Sequence, residues 1–130
     1  MKKNYEGSIS ISSGANVWPH EMKSAEVLSC YGYSVCFIRK SERDREHSAD
    51  AFIDNEKWEF KAPTANHTKT IIKNLKDAKY QSDKLLFDSR RMKAVPDDAI
   101  IREIKAQLKN VPEIKKLKYI SKHGKIIDLK

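Results

Sequence analysis

The sequence predicts a single domain of mixed α/β (α+β) class. Three observations predict it: the length of 130 residues suits one domain, short β-branched and aromatic runs alternate with amphipathic stretches of helical spacing, and turn-forming residues separate them. The segments follow in the order α-β-β-β-α-β-α-β-β. We therefore expect an αβββαβ core with an added helix and a C-terminal β-hairpin over residues 18–130, preceded by residues 1–17 as a flexible arm or an added edge segment.

The first half of the domain is expected to contain one helix and three strands. Pro19 can occupy the first position of a helix, and Gly32 ends it. The β-branched and aromatic run 33–38 is the first strand. Strands over 49–54 and 57–61 follow, and the polar residues where they meet predict a hairpin turn.

The second half is expected to alternate helices and strands and to end in a hairpin. Apolar residues at helical spacing predict a helix over residues 69–82 and another from Asp97 to about Asn110. A strand over 84–89 separates them. The hairpin covers residues 116–130 and turns at His123–Gly124.

The charge balance of the chain favours a polyanionic partner. The chain has 26 lysines and arginines against 18 acidic residues, a net charge of +8 and a pI of about 9.5. Such a balance favours nucleic acid, which binds through phosphate neutralisation, although simple solubility is the alternative. No apolar run approaches the ~18 residues of a membrane span, no secretory signal is recognisable, and the two cysteines form no metal-ligand motif.

Three charged residues lie among the apolar residues of the run SADAFIDNEKWEFKAP: Asp50, Glu59 and Lys61. Side chains alternate between the two faces of a strand. If the two strands of this run form a hairpin that buries Trp58 and Phe60 with Ile53, all three charged side chains lie on the opposite face. The sequence therefore predicts two carboxylates and one ammonium close together on rigid strands.

This combination is suited to metal-assisted hydrolysis of a phosphodiester. Carboxylate oxygens are the ligands that Mg²⁺ or Mn²⁺ prefers, and the bound ion polarises a phosphoryl group and activates water. A nearby lysine can orient that water or stabilise developing negative charge. The alternative is an ordinary ion pair across two solvated strands, which contributes little.

The order of elements and the position of these charges resemble the PD-(D/E)XK nuclease superfamily, which has the restriction-endonuclease-like fold. Asp50 matches the aspartate on the second core strand, and EFK supplies Glu59 and Lys61 on the third. The resemblance implies that Glu21 on the first helix joins Asp50 and Glu59 as a metal ligand, and that Gln81, late in the following helix, lies near the substrate. The proline that often precedes the aspartate is absent.

From about residue 19 onward the chain also resembles the C-terminal tRNA-nuclease domain of contact-dependent growth inhibition toxins and its relatives in phages and mobile elements. The stretch WEFKAP and the basic helix that begins with threonine and lysine carry this resemblance. It implies RNA cleavage in the cytoplasm, with tRNA the favoured substrate, and an immunity protein, which we expect to be acidic. It leaves metal dependence open, because some toxin nucleases of similar size are metal-independent, barnase-like or colicin-like.

Basic and hydroxyl residues near the predicted site are candidates for binding substrate: His47, Thr68, Lys69, Thr70, Arg90 and Arg91. Residues 68–70 are expected at a helix N-terminus, where phosphate binds readily, and the two arginines can hold phosphate with two hydrogen bonds. Each has a simpler alternative: an exposed loop histidine, helix capping by a threonine, or solvated arginines.

The sequence therefore favours a metal-dependent nuclease that acts as an RNase toxin on tRNA. A DNA endonuclease of the same fold is the second hypothesis, since no residue identifies the sugar or the base. A non-catalytic nucleic-acid-binding module is the third. The three charges argue against it, because carboxylates repel a phosphate backbone unless a cation separates them.

Overall fold

The computed structural model describes residues 7–39 and 49–130. The predicted mixed α+β class is confirmed, and the predicted order of elements is found from the first helix onward. The elements are β1 (Ile9–Ile11), α1 (Pro19–Cys30), β2 (Val35–Ile38), β3 (Asp50–Ile53), β4 (Glu56–Lys61), α2 (Ile71–Lys79, after a short 3-10 turn, Thr68–Thr70), β5 (Lys84–Asp88), α3 (Asp97–Leu108), β6 (Lys116–Ile120) and β7 (Ile126–Asp128). None of the helices in these ranges is long and apolar enough to cross a membrane.

The chain forms two compact units, residues 1–58 and residues 59–130. Strand β4 belongs to both, since its residues 56–58 pair with β3 and its residues 59–61 pair with β5. The division expected from the sequence, an arm over residues 1–17 and a nuclease domain after it, stays a prediction.

The first unit contains the strand order β1-β2-β3-β4. β1 runs parallel to β2 at the edge, and the other neighbours are antiparallel. Asp54 and Asn55 both have positive φ, 49° and 72°, which is the two-residue type I′ turn favoured between twisted antiparallel strands. The turn fixes the register, with Ala51 opposite Trp58 and Phe52 opposite Lys57.

The predicted burial of this hairpin is confirmed for Ile53 and Trp58, whereas Phe60, expected to be buried with them, is partly exposed. Ala51, Ile53 and Trp58 are all buried, while Phe52 and Lys57, which are paired on the other face, are partly exposed. Burying the tryptophan requires this register, because a slip of one residue would turn it to the opposite face.

The segment before β1 passes very close to the end of α1. A Cβ atom at Gly7 would lie 2.2 Å from the carbonyl oxygen of Tyr33 and 2.7 Å from that of Ser29. Only glycine fits there. The contact leads the chain into β1, where the amide of Val35 donates to the carbonyl of Ser8 at 2.8 Å.

The second unit contains the order β4-β5-β6-β7, in which β5 is parallel to both neighbours and β7 is antiparallel to β6. Helices α2 and α3 bury their apolar faces against one face of β5 and β6. The fully buried residues of this core include Ile71, Leu75, Ala78, Leu85, Phe87, Ile100, Ile104, Leu117 and Tyr119. The helical spacing seen in the sequence therefore marks the faces that are buried.

Candidate functional site

Glu59 and Lys61 lie on one face of β4 as an ion pair. The Lys61 Nζ is 3.5 Å from the Glu59 Oε2, and the side chains are 25% and 23% exposed. This separation is longer than a direct charge-assisted hydrogen bond of ~2.7–2.9 Å. The pair is thus partly shielded from water, and its ammonium and carboxylate lie close together without such a short bond.

The face that carries this pair is the one that helix α2 covers. Glu59 is paired with Leu85 and Lys61 with Phe87 on the parallel strand β5. Paired residues of parallel strands point to the same side of the sheet, and both partners belong to the core beneath α2 and α3. The glutamate and the lysine therefore extend from the rim of an apolar core.

Helix α2 adds two further charges beside this pair. The Lys73 Nζ donates to the Asp77 Oδ2 at 2.7 Å. This hydrogen bond is the main reason that the pKa of Asp77 lies below its ordinary value, and the positive charges of Lys73 and Lys61 lower it further. Lys61 is thus close enough to act on Asp77, and acidic and basic groups alternate from β4 to α2.

Asp50, in the first unit, lies where the sequence predicts it, on the less buried face of β3. Its Oδ1 is 3.6 Å from the Lys57 Nζ, and its side chain is 27% exposed. Alternation places it on the same side as Phe52, which is paired with Lys57. Its part in catalysis stays a prediction.

Glu21 has a structural task in helix α1. Its Oε1 accepts a hydrogen bond from the backbone amide of Trp18 at 2.9 Å, which forms half of a capping box, and the residue is buried. The resemblance to the PD-(D/E)XK superfamily implied a metal ligand at this residue and gave no indication of the cap. Its role as a ligand stays a prediction.

The segment before α2 departs from the predicted helix start. Thr68, Lys69 and Thr70 form the 3-10 turn, so the α-helix begins two residues later than expected, at Ile71. Thr70 occupies the cap position but makes no capping hydrogen bond, and its Oγ1 is buried without a hydrogen-bond partner. The simple capping alternative is therefore not observed for Thr70.

Arg90 is already bound within the protein. Its Nε and Nη2 donate to the two carboxylate oxygens of Asp88 at 3.0 and 2.7 Å, and its backbone amide donates to the same carboxylate. Asp88 is buried at the end of β5. Arg90 is therefore held in a fixed orientation, whereas the neighbouring Arg91 is exposed.

The remaining predicted substrate residues are Gln81 and His47. Gln81 is exposed and lies beyond the end of α2 at Lys79, so the prediction that it lies late in the helix was wrong. The backbone forms a turn there, in which the Gln81 amide donates to the Ala78 carbonyl. His47 lies outside the described residues.

Asp97 is a partly exposed hydrogen-bond centre that the sequence did not predict. Its Oδ1 accepts hydrogen bonds from the hydroxyls of Tyr119 at 2.6 Å and Ser89 at 3.3 Å and from the amide of Lys122 at 3.2 Å. Burial, and then the bond to Asp97, raise the pKa of Tyr119. The sequence predicted only a helix cap near Asp97, because no sequence pattern marks a hydrogen-bond partner 22 residues away. The residue in the cap position is Pro96.

Among residues 7–39 and 49–130, no group of three or more histidine, cysteine, aspartate or glutamate side chains is placed to hold a metal ion. The carboxylates of Asp50 and Glu59 are partly exposed. The Lys57 ammonium lies 3.6 Å from the first and the Lys61 ammonium 3.5 Å from the second. Oxygen donors of this kind fit a hard cation that keeps several of its waters, as Mg²⁺ does, and do not fit a closed cage.

The net positive charge of the protein comes from the second unit. Residues 59–130 contain eighteen lysines and arginines against nine acidic residues, a net charge of +9, whereas residues 1–58 contain eight against nine, a net charge of −1. The overall value of +8 therefore describes neither unit. A polyanion is attracted to the unit that carries Glu59 and Lys61.

Comparison with known proteins gives one family and one fold. The family model described as the contact-dependent growth inhibition CdiA C-terminal domain matches residues 47–126. A chain of the CdiA-CT/CdiI toxin and immunity complex from Burkholderia pseudomallei has a similar fold, with a TM-score of 0.65 and 21% identity over 92% of this chain and 97% of that chain. No curated protein sequence matches. Neither comparison names the PD-(D/E)XK superfamily, so that resemblance stays a prediction.

Proposed function

The chain belongs to the family of contact-dependent growth inhibition CdiA C-terminal domains, and from this membership we propose that it is a nuclease toxin that hydrolyses phosphodiester bonds in RNA, with tRNA the favoured substrate. One observation carries the proposal: the ion pair of Glu59 and Lys61, 3.5 Å apart and partly exposed, in a unit of net charge +9. A strongly basic unit attracts a polyanion, and a carboxylate beside an ammonium supplies the acid–base and electrostatic groups for cleaving it.

Lys61 and Glu59 have complementary tasks in this proposal. When a phosphate enters, the Lys61 ammonium turns from Glu59 to a phosphoryl oxygen and donates hydrogen bonds to it as negative charge develops. The Glu59 carboxylate then accepts a hydrogen bond from the attacking water and orients it.

We also propose that the carboxylates of Asp50 and Glu59 are ligands of a divalent cation, Mg²⁺ or Mn²⁺, and that Glu21 contributes only if its capping bond opens. The place of Asp50 in this site follows from strand alternation in the sequence. A bound cation supplies polarisation of the phosphoryl group and a lowered pKa of its water. The metal-independent alternative assigns the chemistry to His47, Lys69 and Arg90 instead.

The proposed partner besides RNA is an acidic immunity protein. The solved structure of similar fold is a toxin and immunity complex, and a net charge of +9 in residues 59–130 favours an inhibitor of opposite charge. Because contact-dependent growth inhibition acts on a neighbouring cell, we propose the cytoplasm of that cell as the site of action.

Cleavage assays with the purified protein test the proposal. We expect cleavage of tRNA, and a loss of about a hundredfold or more in Glu59→Gln and in Lys61→Ala. Lys84→Ala is the matched control, because that lysine is 20% exposed and paired with Asp83 at 3.1 Å in the same unit; it should cut at the parental rate. Parental rates in both site variants would refute the assignment. Cleavage of plasmid DNA with intact RNA would favour the DNA endonuclease instead.

A further inference from the structure

Tyr80 is the most exposed of the large apolar side chains in the described ranges. It follows the last residue of α2 and is 78% exposed, whereas the next such residues are about half exposed. An aromatic ring that is left this open to water contributes little to the core of its own chain. It is available to a binding partner.

The ring of Tyr80 is held in place by a neighbouring cation. The Lys79 Nζ lies 5.2 Å from the centre of the ring, within the range of a cation–π interaction. The same ammonium is 3.4 Å from the Glu113 Oε2, so the cation is itself fixed by the segment that precedes β6. The ring is therefore exposed and also oriented before any partner binds.

Exposed lysines lie in the segments next to this ring, together with the acidic Glu113 that pairs with Lys79. Lys76 lies four residues earlier on α2, so the two side chains are neighbours on the helix surface, and it is exposed. The backbone amides of Lys115 and Lys116 both donate to the carbonyl of Asp83, at 2.7 and 3.2 Å, which holds two further exposed lysines next to the start of β5. An oriented aromatic ring among exposed lysines matches a nucleobase joined to phosphates.

We propose that Tyr80 stacks on an unpaired base of the RNA substrate while Lys76 contacts an adjacent phosphate. The proposal rests on the nuclease function proposed above and adds to it the class of substrate, RNA with an unstacked base at this point. Stacking on an aromatic side chain needs the face of a base that is not covered by its neighbours, which duplex RNA does not offer. Docking of an acidic protein on the same lysines and ring is the alternative, and the binding measurements below separate the two.

Binding measurements separate the ring from the charge. The background is Lys61→Ala, which we expect to bind RNA without cutting it. In this background Tyr80→Leu removes the aromatic face and leaves the charge unchanged. We expect the affinity for a fluorescein-labelled oligouridylate to fall by about tenfold or more at every salt concentration. The dependence of the affinity on salt should not change. Lys76→Ala should instead reduce the slope of log K against log salt by about 0.7. Tyr80→Phe should bind like the background protein.

Tyr31→Leu is the matched control. Tyr31 also follows the end of a helix and is 40% exposed, but it lies in the unit of net charge −1; its replacement should leave binding unchanged. A hairpin duplex RNA should bind Tyr80→Leu and the background protein equally. If Tyr80→Leu binds the oligouridylate as tightly as its background, stacking is refuted and protein docking remains the use of the ring. If the protein with Lys61 intact neither cuts nor binds RNA, the proposed function itself fails.

Discussion

Replacing Tyr119 with phenylalanine tests the hydrogen-bond centre at Asp97. The substitution keeps the ring, which stacks on Phe87 with centroids 6.2 Å apart, and removes only the hydroxyl that donates to Asp97 at 2.6 Å. The Tyr119 side chain is fully buried, whereas Asp97 is partly exposed. The measured difference therefore reports the interactions of a single hydroxyl group.

The magnitude follows from the partners that Asp97 retains. A hydrogen bond to a charged group contributes about 1.5–3 kcal/mol. The Asp97 carboxylate keeps its bonds from Ser89 and from the Lys122 amide, so it is not left unpaired. We therefore expect a loss near the lower end, about 2 kcal/mol, measured by urea unfolding at neutral pH with an unchanged dependence on denaturant.

The same variant should change the response to alkali. The pKa of Tyr119 is raised in the folded protein, so its contribution to stability is complete below the pKa of about 10 of an unfolded tyrosine and is lost as the pH rises above it. The difference between parent and variant should narrow above about pH 10. Tyr80→Phe is the control, since that hydroxyl is exposed. A Tyr119→Phe protein within about 0.5 kcal/mol of the parent, with an identical alkaline response, would refute the role of this bond.

Three further predictions concern the metal, the segment before β1 and the fixed arginine. EDTA should stop RNA cleavage and Mg²⁺ restore it, except in Asp50→Asn; full activity in EDTA would assign the chemistry to the metal-independent alternative. Gly7→Ala should lower the free energy of unfolding by about 1–3 kcal/mol, because its Cβ would lie 2.2 Å from a carbonyl oxygen. Ser8→Ala, at the neighbouring exposed position, should leave the free energy of unfolding unchanged. Equal stability of the two variants would show that the backbone around residue 7 can move to accommodate the methyl group. Asp88→Asn should weaken the ion pair with Arg90 and lower the free energy of unfolding by more than Arg91→Ala does. A larger loss for Arg91→Ala in urea unfolding would contradict the pairing.

The sequence predicted local features well because each depends on neighbouring residues. The burial of Trp58 and Ile53 followed from strand alternation, and the core faces of α2 and α3 followed from helical spacing. Glu59 and Lys61 were found because they are two residues apart on one strand. These are properties that a periodic pattern carries.

The features that the sequence did not predict join residues far apart in the chain. Asp97 meets Tyr119 across 22 positions, and only the fold brings them together. Arg90 pairs with Asp88, but a spacing of two residues does not predict which nearby carboxylate an arginine will bind. The turn at Thr68–Thr70 was missed because its 3-10 geometry depends on how the chain enters the core, and the propensities of its residues do not determine that.

The net positive charge of residues 59–130 has a thermodynamic consequence for the protein without its ligands. Like charges repel within a compact unit, so this region is less stable than its buried core alone would allow, and added salt relieves part of the repulsion. A polyanion or an acidic inhibitor that binds only the folded form stabilises it in proportion to its affinity and concentration. The ligand-free protein is therefore the form most easily unfolded, and its resistance to heat and protease should rise with the occupancy of its basic surface.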